Sequence, residues 1–300
     1  MTKILLIGKS GQVGWELQHA LRPLGQVIAL DRSQMDLTDA KSIRKSIRDS
    51  TPNIIVNAAA YTSVDKAESE PERAMQINAV APGIMAEEAK QTGALLVHYS
   101  TDYVFDGSQS APYTEDDLPN PLNMYGKSKL AGEVEISASN CAHLILRTSW
   151  LYSARNENFV LTMLRLARDR KELAVVNDQI GSPTWASTLA EVTADIIDKT
   201  THHDFKSGIY HVSADGFVSR FDFARKIISI AQEELGGAEN WATITPTLTK
   251  DYPLPAARPL NAATDKDKIK RAFEINLTNW EDQLRACLKD LFNKPTPAPI

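Results

Sequence analysis

The sequence is poor in cysteine, with only Cys141 and Cys287 in 300 residues. Two distant thiols exclude a disulfide-built scaffold and lack the spacing of a zinc site. Long apolar runs are also missing, and none approaches the length of a membrane span. The N-terminal apolar stretch stops at Gly8 and leads into a turn, too short for an export signal. The chain therefore reads as cytoplasmic, without a membrane partner. Positive charge is not in excess either: 33 Lys and Arg stand against 38 Asp and Glu, a net charge of −5. Such a chain has no general attraction to nucleic acid or anionic lipid. Any anionic ligand must be held locally, by placed backbone amides and single basic side chains. No internal repeat is visible. What remains is a globular composition, long enough for one large α/β domain and a smaller lobe.

Short runs rich in Val, Ile, Leu and Ala occur at 3–7, 27–31, 53–60, 94–100 and 143–150. They lack polar alternation, as strands buried on both faces do. Helical periodicity fills the gaps at 12–24, 39–50, 71–92 and 122–139, with a break expected near Pro82-Gly83. Strand alternating with helix predicts a Rossmann-type, doubly wound parallel sheet. After Trp150 the pattern predicts helices at 158–170, 186–199, 221–235 and 278–292. It places short strands at 173–177 and 208–213. The proline-rich stretch 245–259 reads as an irregular loop, and 294–300 as a disordered tail. The expected division is an NAD(P)-binding domain of residues 1–155 plus about 185–213. A smaller, discontinuous C-terminal substrate lobe would take about 156–184 and 214–300.

The first strand ends in Gly8-Lys9-Ser10-Gly11-Gln12-Val13-Gly14. Glycines three apart allow a tight turn, close approach of backbone to a pyrophosphate, and close packing of helix on sheet. The helix that follows offers free N–H groups to negative charge. Asp31, at the end of the second strand, suits the ribose hydroxyls of NADH, whereas Arg32 suits the extra phosphate of NADPH or is simply a surface charge. Use of both cofactors is expected. Asp36 and Leu37 are placed to border the adenine. The small residues of Asn57-Ala58-Ala59-Ala60 leave room for a flat cofactor or for tight helix packing.

Tyr125 and Lys129 are four residues apart and share one helix face. A neighbouring ammonium favours phenolate, so the Tyr125 phenol is expected below its ordinary pKa, within reach of acid–base work. Tyr125 would protonate a carbonyl oxygen as hydride reaches its carbon, with Lys129 also on the nicotinamide ribose. Thr101, at the end of the fourth strand, can polarise the same carbonyl. Asp102 either binds a substrate hydroxyl or caps the following turn.

The glycine turn, Asn57–Ala60, Val64-Asp65-Lys66-Ala67-Glu68, Ser100–Phe105, Pro121–Gly126, Arg147-Thr148-Ser149-Trp150 and Asn177–Thr184 together resemble one family. It is that of the dTDP-4-dehydrorhamnose reductases, among the extended short-chain dehydrogenases/reductases. The resemblance runs from about residue 3 to about 259. It implies NADPH- or NADH-dependent reduction of the C4 ketone of dTDP-6-deoxy-L-lyxo-4-hexulose to dTDP-L-rhamnose, a precursor for lipopolysaccharide, another polysaccharide or glycoprotein. It implies Tyr125, Lys129 and Thr101 as catalytic residues. Gly11, Gln12, Val13, Asp31, Asp36, Leu37, Ala60, Tyr61 and Thr62 would lie on the cofactor. Thr101, Asp102 and Trp150 would lie on the sugar, although Trp150 has a core-packing alternative. Arg258 stands alone as Ala257-Arg258-Pro259 where the family tends to have Arg-Arg-Pro, and is left to hold substrate phosphate. Some members form Mg²⁺-bridged homodimers through two acidic positions. Glu16 matches one, but Ser187 occupies the other, so a homodimer is expected without a protein metal site. The alternatives on the same scaffold are another nucleotide-sugar reductase or epimerase, and a non-catalytic regulatory subunit.

Overall fold

The computed structural model describes residues 1–202, 206–235 and 241–293. Six parallel strands form the central sheet. Five are β1 (Lys3–Ile7), β2 (Gln26–Leu30), β3 (Ile54–Asn57), β4 (Leu95–Thr101) and β5 (His143–Thr148), and the sixth is Gly208–His211. Their spatial order is Gly208–His211, β5, β4, β3, β1, β2. The chain therefore crosses over between β1 and β3, with Ile4 opposite Ile54 and Ile7 opposite Asn57. In a doubly wound sheet the crevice outside the carboxyl ends of such strands receives ligands.

Alternation along β1 explains the two-sided core. Ile4 and Leu6 face a cluster that includes Leu17 of α1 (Gln12–Ala20) and Ile196 of the Ala186–His202 helix. Leu5 and Ile7 face a second cluster with Ile43 and Ile47 of α2 (Ala40–Ser50) and Met85 of the Ala81–Thr92 helix. Successive side chains of a strand point to opposite faces, so apolar residues at every position bury both. A third cluster lies off the sheet. It packs the helices Phe159–Asp169, Arg220–Glu234 and Trp280–Asn293 through Leu164, Phe223, Ile227, Trp280 and Leu284.

Three local expectations are corrected. The helical stretch does not break at Pro82-Gly83. Pro71–Met75 passes through a π-helical turn, Gln76–Val80, into Ala81–Thr92, where Pro82 occupies the first turn. A proline there removes no needed hydrogen bond, and the wide turn absorbs the change of register. The stretch 245–259 is not wholly irregular: Thr243–Thr247 pairs in parallel with Glu172–Val176. Pro246 is tolerated because this two-stranded sheet has only edges. A helix that sequence periodicity did not suggest, Asp267–Phe273, buries Ile269 and Phe273. The expected tail 294–300 lies outside the described residues. Among the described residues, no helix is long and apolar enough to cross a membrane, and no group of His, Cys, Asp and Glu is placed to hold a metal.

Candidate active site

At the end of β1, Gly8 takes a left-handed conformation with φ +91°. A Cβ there would lie 2.8 Å from the Ala59 nitrogen. Glycine alone allows that backbone at low cost. Gly14 is buried, and a Cβ on it would collide with the Gly8 carbonyl, so it brings α1 against the turn. Gly11 is the N-cap of α1 and no side chain caps the helix. The first-turn amides therefore face a cleft of about 610 Å³ lined by Gly8, Gly11, Gln12 and Val13. Asp31, Arg32, Asp36 and Leu37 form its far end, with Ala60, Tyr61 and Thr62 opposite.

Asp31 is engaged: its carboxylate accepts from the Ser33 hydroxyl at 2.6 Å and pairs with Lys9 at 3.2 Å. The Ser33 hydrogen bond is the main cause of its depressed pKa. Arg32, Lys66 and Arg73 border the same cleft. Uncapped helix amides, a glycine surface and three cations suit an elongated anionic ligand. A dinucleotide fits this donor set.

Gln12, Val13, Ala58, Ala60 and Thr62 also line a second cleft of about 360 Å³, so the two adjoin. Its lining also includes Thr101, Asp102, Tyr125, Lys129 and Trp150. The Thr101 hydroxyl donates to Asp102 at 3.0 Å and accepts the Tyr103 amide at 3.2 Å. Thr101, rather than Asp102, thus caps the short helix Asp102–Val104. Ser149 donates to the other Asp102 oxygen at 2.6 Å. Burial pushes the Asp102 carboxyl up to about 6 against these hydrogen bonds.

Tyr125 and Lys129 do share a face of the helix Met124–Ser139. The expected downward shift of the phenol is reversed. Burial pushes the Tyr125 pKa up, and a hydrogen bond with Thr101 opposes that only in part. The Lys129 amino end instead turns to β4. Nζ donates to the Tyr99 carbonyl at 2.6 Å and lies 3.1 Å from His98 Nε2. Burial pulls its pKa down to about 8, against the pull of Glu133.

Arg258 is not brought to the lining of either cleft. Its guanidinium forms a two-pronged pair with Asp65, both contacts at 2.7 Å. The arginine that does line the second cleft is Arg220, which sequence reading passed over. Its guanidinium carbon lies 3.7 Å from the centre of the Trp150 ring. Its only sequence signal was a position beside a helix start, shared by many surface arginines. Tyr103 and Ser149 were missed as site residues for a similar reason, since each becomes meaningful only through Asp102 and Arg220.

The sequence matches the model of the RmlD substrate binding domain family over residues 1–293. It belongs to that family. Within it, the chain is 43% identical over 297 residues to the dTDP-4-dehydrorhamnose reductase of Salmonella typhimurium, covering 98% of this chain and 99% of that one. The fold matches the crystal structure of a dTDP-4-dehydrorhamnose reductase from Clostridium acetobutylicum with a TM-score of 0.90 at 36% identity, covering 97% and 100% of the two chains. The dTDP-4-dehydrorhamnose reductase of Bacillus anthracis, solved in complex with NADP, matches with a TM-score of 0.88 at 35% identity and the same coverage.

Proposed function

We propose that this protein is a dTDP-4-dehydrorhamnose reductase that uses NADPH or NADH to reduce the C4 ketone of dTDP-6-deoxy-L-lyxo-4-hexulose. The observation that carries the reading is that the two clefts adjoin through shared walls, which brings the glycine turn beside the Thr101, Tyr125 and Lys129 cluster. The family's named reductases supply the substrate.

Gly8, Gly11, Gln12, Val13 and Gly14 form or support the pyrophosphate cradle. Asp31, Arg32, Asp36 and Leu37 take the adenosine end, and Ala60, Tyr61 and Thr62 the middle. The reduced nicotinamide, when bound, supplies the hydride that the C4 carbon accepts. Tyr125 gives its phenolic proton to the C4 oxygen, turning carbonyl into hydroxyl, so the raised pKa keeps the donor loaded. Thr101, once its hydroxyl turns from Asp102 to the same oxygen, donates to it and steadies the charge that develops there. Lys129 orients the ribose and adjoins Tyr125. Asp102 accepts a sugar hydroxyl, Trp150 covers the sugar, and Arg220 meets the diphosphate. Arg258 acts at the rim, through Asp65.

Residues 1–155 with about 185–213 would form the cofactor domain, and about 156–184 with 214–300 the substrate lobe. A cytoplasmic homodimer, supplying rhamnose for lipopolysaccharide or another glycan, completes the proposal. The test is turnover of enzymatically made dTDP-6-deoxy-L-lyxo-4-hexulose with NADH or NADPH, followed by loss of reduced-cofactor absorbance. Activity that falls at least about 100-fold in Tyr125→Phe supports the reading. Cofactor binding without turnover removes it.

A further inference from the structure

The hydrogen bonds behind Lys129 run in one direction. The Ala59 amide donates to Asn57 Oδ1 at 3.1 Å, which fixes the orientation of that side-chain amide. Its Nδ2 must then donate to His98 Nδ1, 3.0 Å away. A neutral imidazole that accepts at Nδ1 carries its proton on Nε2. That N–H points at Lys129 Nζ, 3.1 Å away, and needs a lone pair there. An ammonium has none. Lys129 can complete the chain only as an amine, which accepts from His98 and donates to the Tyr99 carbonyl.

Resting on the assignment of Tyr125 and Lys129 to the chemistry, we infer that Asn57 and His98 are positioning residues that favour the proton-accepting amine form of Lys129 over its ammonium in the cofactor-free protein. The amine form puts no positive charge beside Tyr125, so the phenol keeps its proton. The resting site is thereby set to give a proton, the direction a reductase needs, and not to take one.

The surroundings agree. Asn57, His98 and Lys129 are all buried, and burial holds His98 well below its ordinary pKa, so it stays neutral. From its own helix Lys129 meets Tyr125 and Glu133, and Glu133 is engaged by Arg147 of β5 at 2.6 Å. From β4 it meets His98 and Tyr99. Asp102, Tyr103, Glu157 and Arg220 complete the titratable and charged lining of the cleft.

The readout is the tautomer of His98 in the cofactor-free protein, by long-range ¹H–¹⁵N NMR on histidine-labelled enzyme, with His98→Gln to assign the resonance. The expected result is a proton on Nε2 throughout the neutral range. In Asn57→Asp the new carboxylate can only accept, so the proton should move to Nδ1. The freed Nε2 would then accept from an ammonium, and the Lys129 titration, read in lysine-labelled protein, should rise from about 8 towards the ordinary lysine range. A native His98 protonated on Nδ1 or on both nitrogens overturns the inference, as does a tautomer unchanged in Asn57→Asp. The native measurement decides alone if that variant does not fold. Turnover by the native enzyme tests the reductase reading separately, so either can fail without the other.

Discussion

Trp150 and Arg220 form a stacked pair in the wall of the second cleft, the guanidinium carbon 3.7 Å from the indole centre. Trp150 is held there on a left-handed backbone, φ +43°, unusual for a bulky residue. Gly181 lies beneath the ring, and a Cβ at that position would run into the indole. Gly181→Ala should therefore push the ring out of place. We expect KM for the nucleotide-sugar to rise about tenfold or more, with a stability loss of about 1–3 kcal/mol from overpacking. Steady-state kinetics and denaturant unfolding check both. An unchanged KM would mean that Trp150 does not contact the sugar.

Arg32 is exposed on the first cleft, at the end proposed for adenosine, beside an Asp31 already occupied by Lys9 and Ser33. Arg32→Ala should weaken NADPH about tenfold, about 1.4 kcal/mol, and leave NADH nearly unchanged. Fluorescence titration of both cofactors measures the ratio. Equal loss for both would assign Arg32 to the shared part of the cofactor.

Asp102 titrates near 6 because burial disfavours its charge. A carboxyl whose folded pKa lies above its unfolded value costs stability once ionised. The cost is absent below about pH 4, grows to about pH 6, and is constant above that. Asp102→Asn should thus be more stable than the native protein at pH 8, by up to about 3 kcal/mol. The advantage should disappear by pH 4. Activity should fall at the same time. Parallel melting curves at the two pH values test the sign, and a variant less stable at pH 8 would refute it.

Glu133 and Arg147 form a buried pair, each side chain 2% exposed, with contacts of 2.9 and 2.6 Å. Glu133→Ala leaves the guanidinium uncompensated in the core. A loss of about 3–5 kcal/mol follows, measured by the midpoint of urea unfolding. It also removes the one charge that supports a protonated Lys129, so the Lys129 titration should fall further. A loss below 1 kcal/mol would show that water reaches Arg147.

The periodicities were strong enough to read the sheet strands and most helices, because burial on two faces leaves unbroken apolar runs and burial on one leaves a stripe. The π-helical turn in the stretch 71–92 was not legible. Pro82 signals a break locally, but the π turn before it is stabilised by Asn78, which bonds the Tyr61 backbone and Ser128 from elsewhere in the chain. The candidate site divides in the same way. Glycines at 8, 11 and 14 and the spacing of Tyr125 and Lys129 are short-range patterns, each dictated by one turn or one helix face.

By itself the sequence determined the order of strands and helices, the glycine turn after β1 and the helical spacing of Tyr125 and Lys129. Only the tertiary structure decided the electrostatics among them. It turned Lys129 towards His98 and Tyr99, raised Asp102 by burial, tied Arg258 to Asp65, and placed Arg220 on Trp150. The reason is one of range. A turn or a helical spacing depends on residues within a few positions, whereas desolvation and hydrogen-bond direction depend on groups that meet only when β3, β4 and the Met124–Ser139 helix pack together.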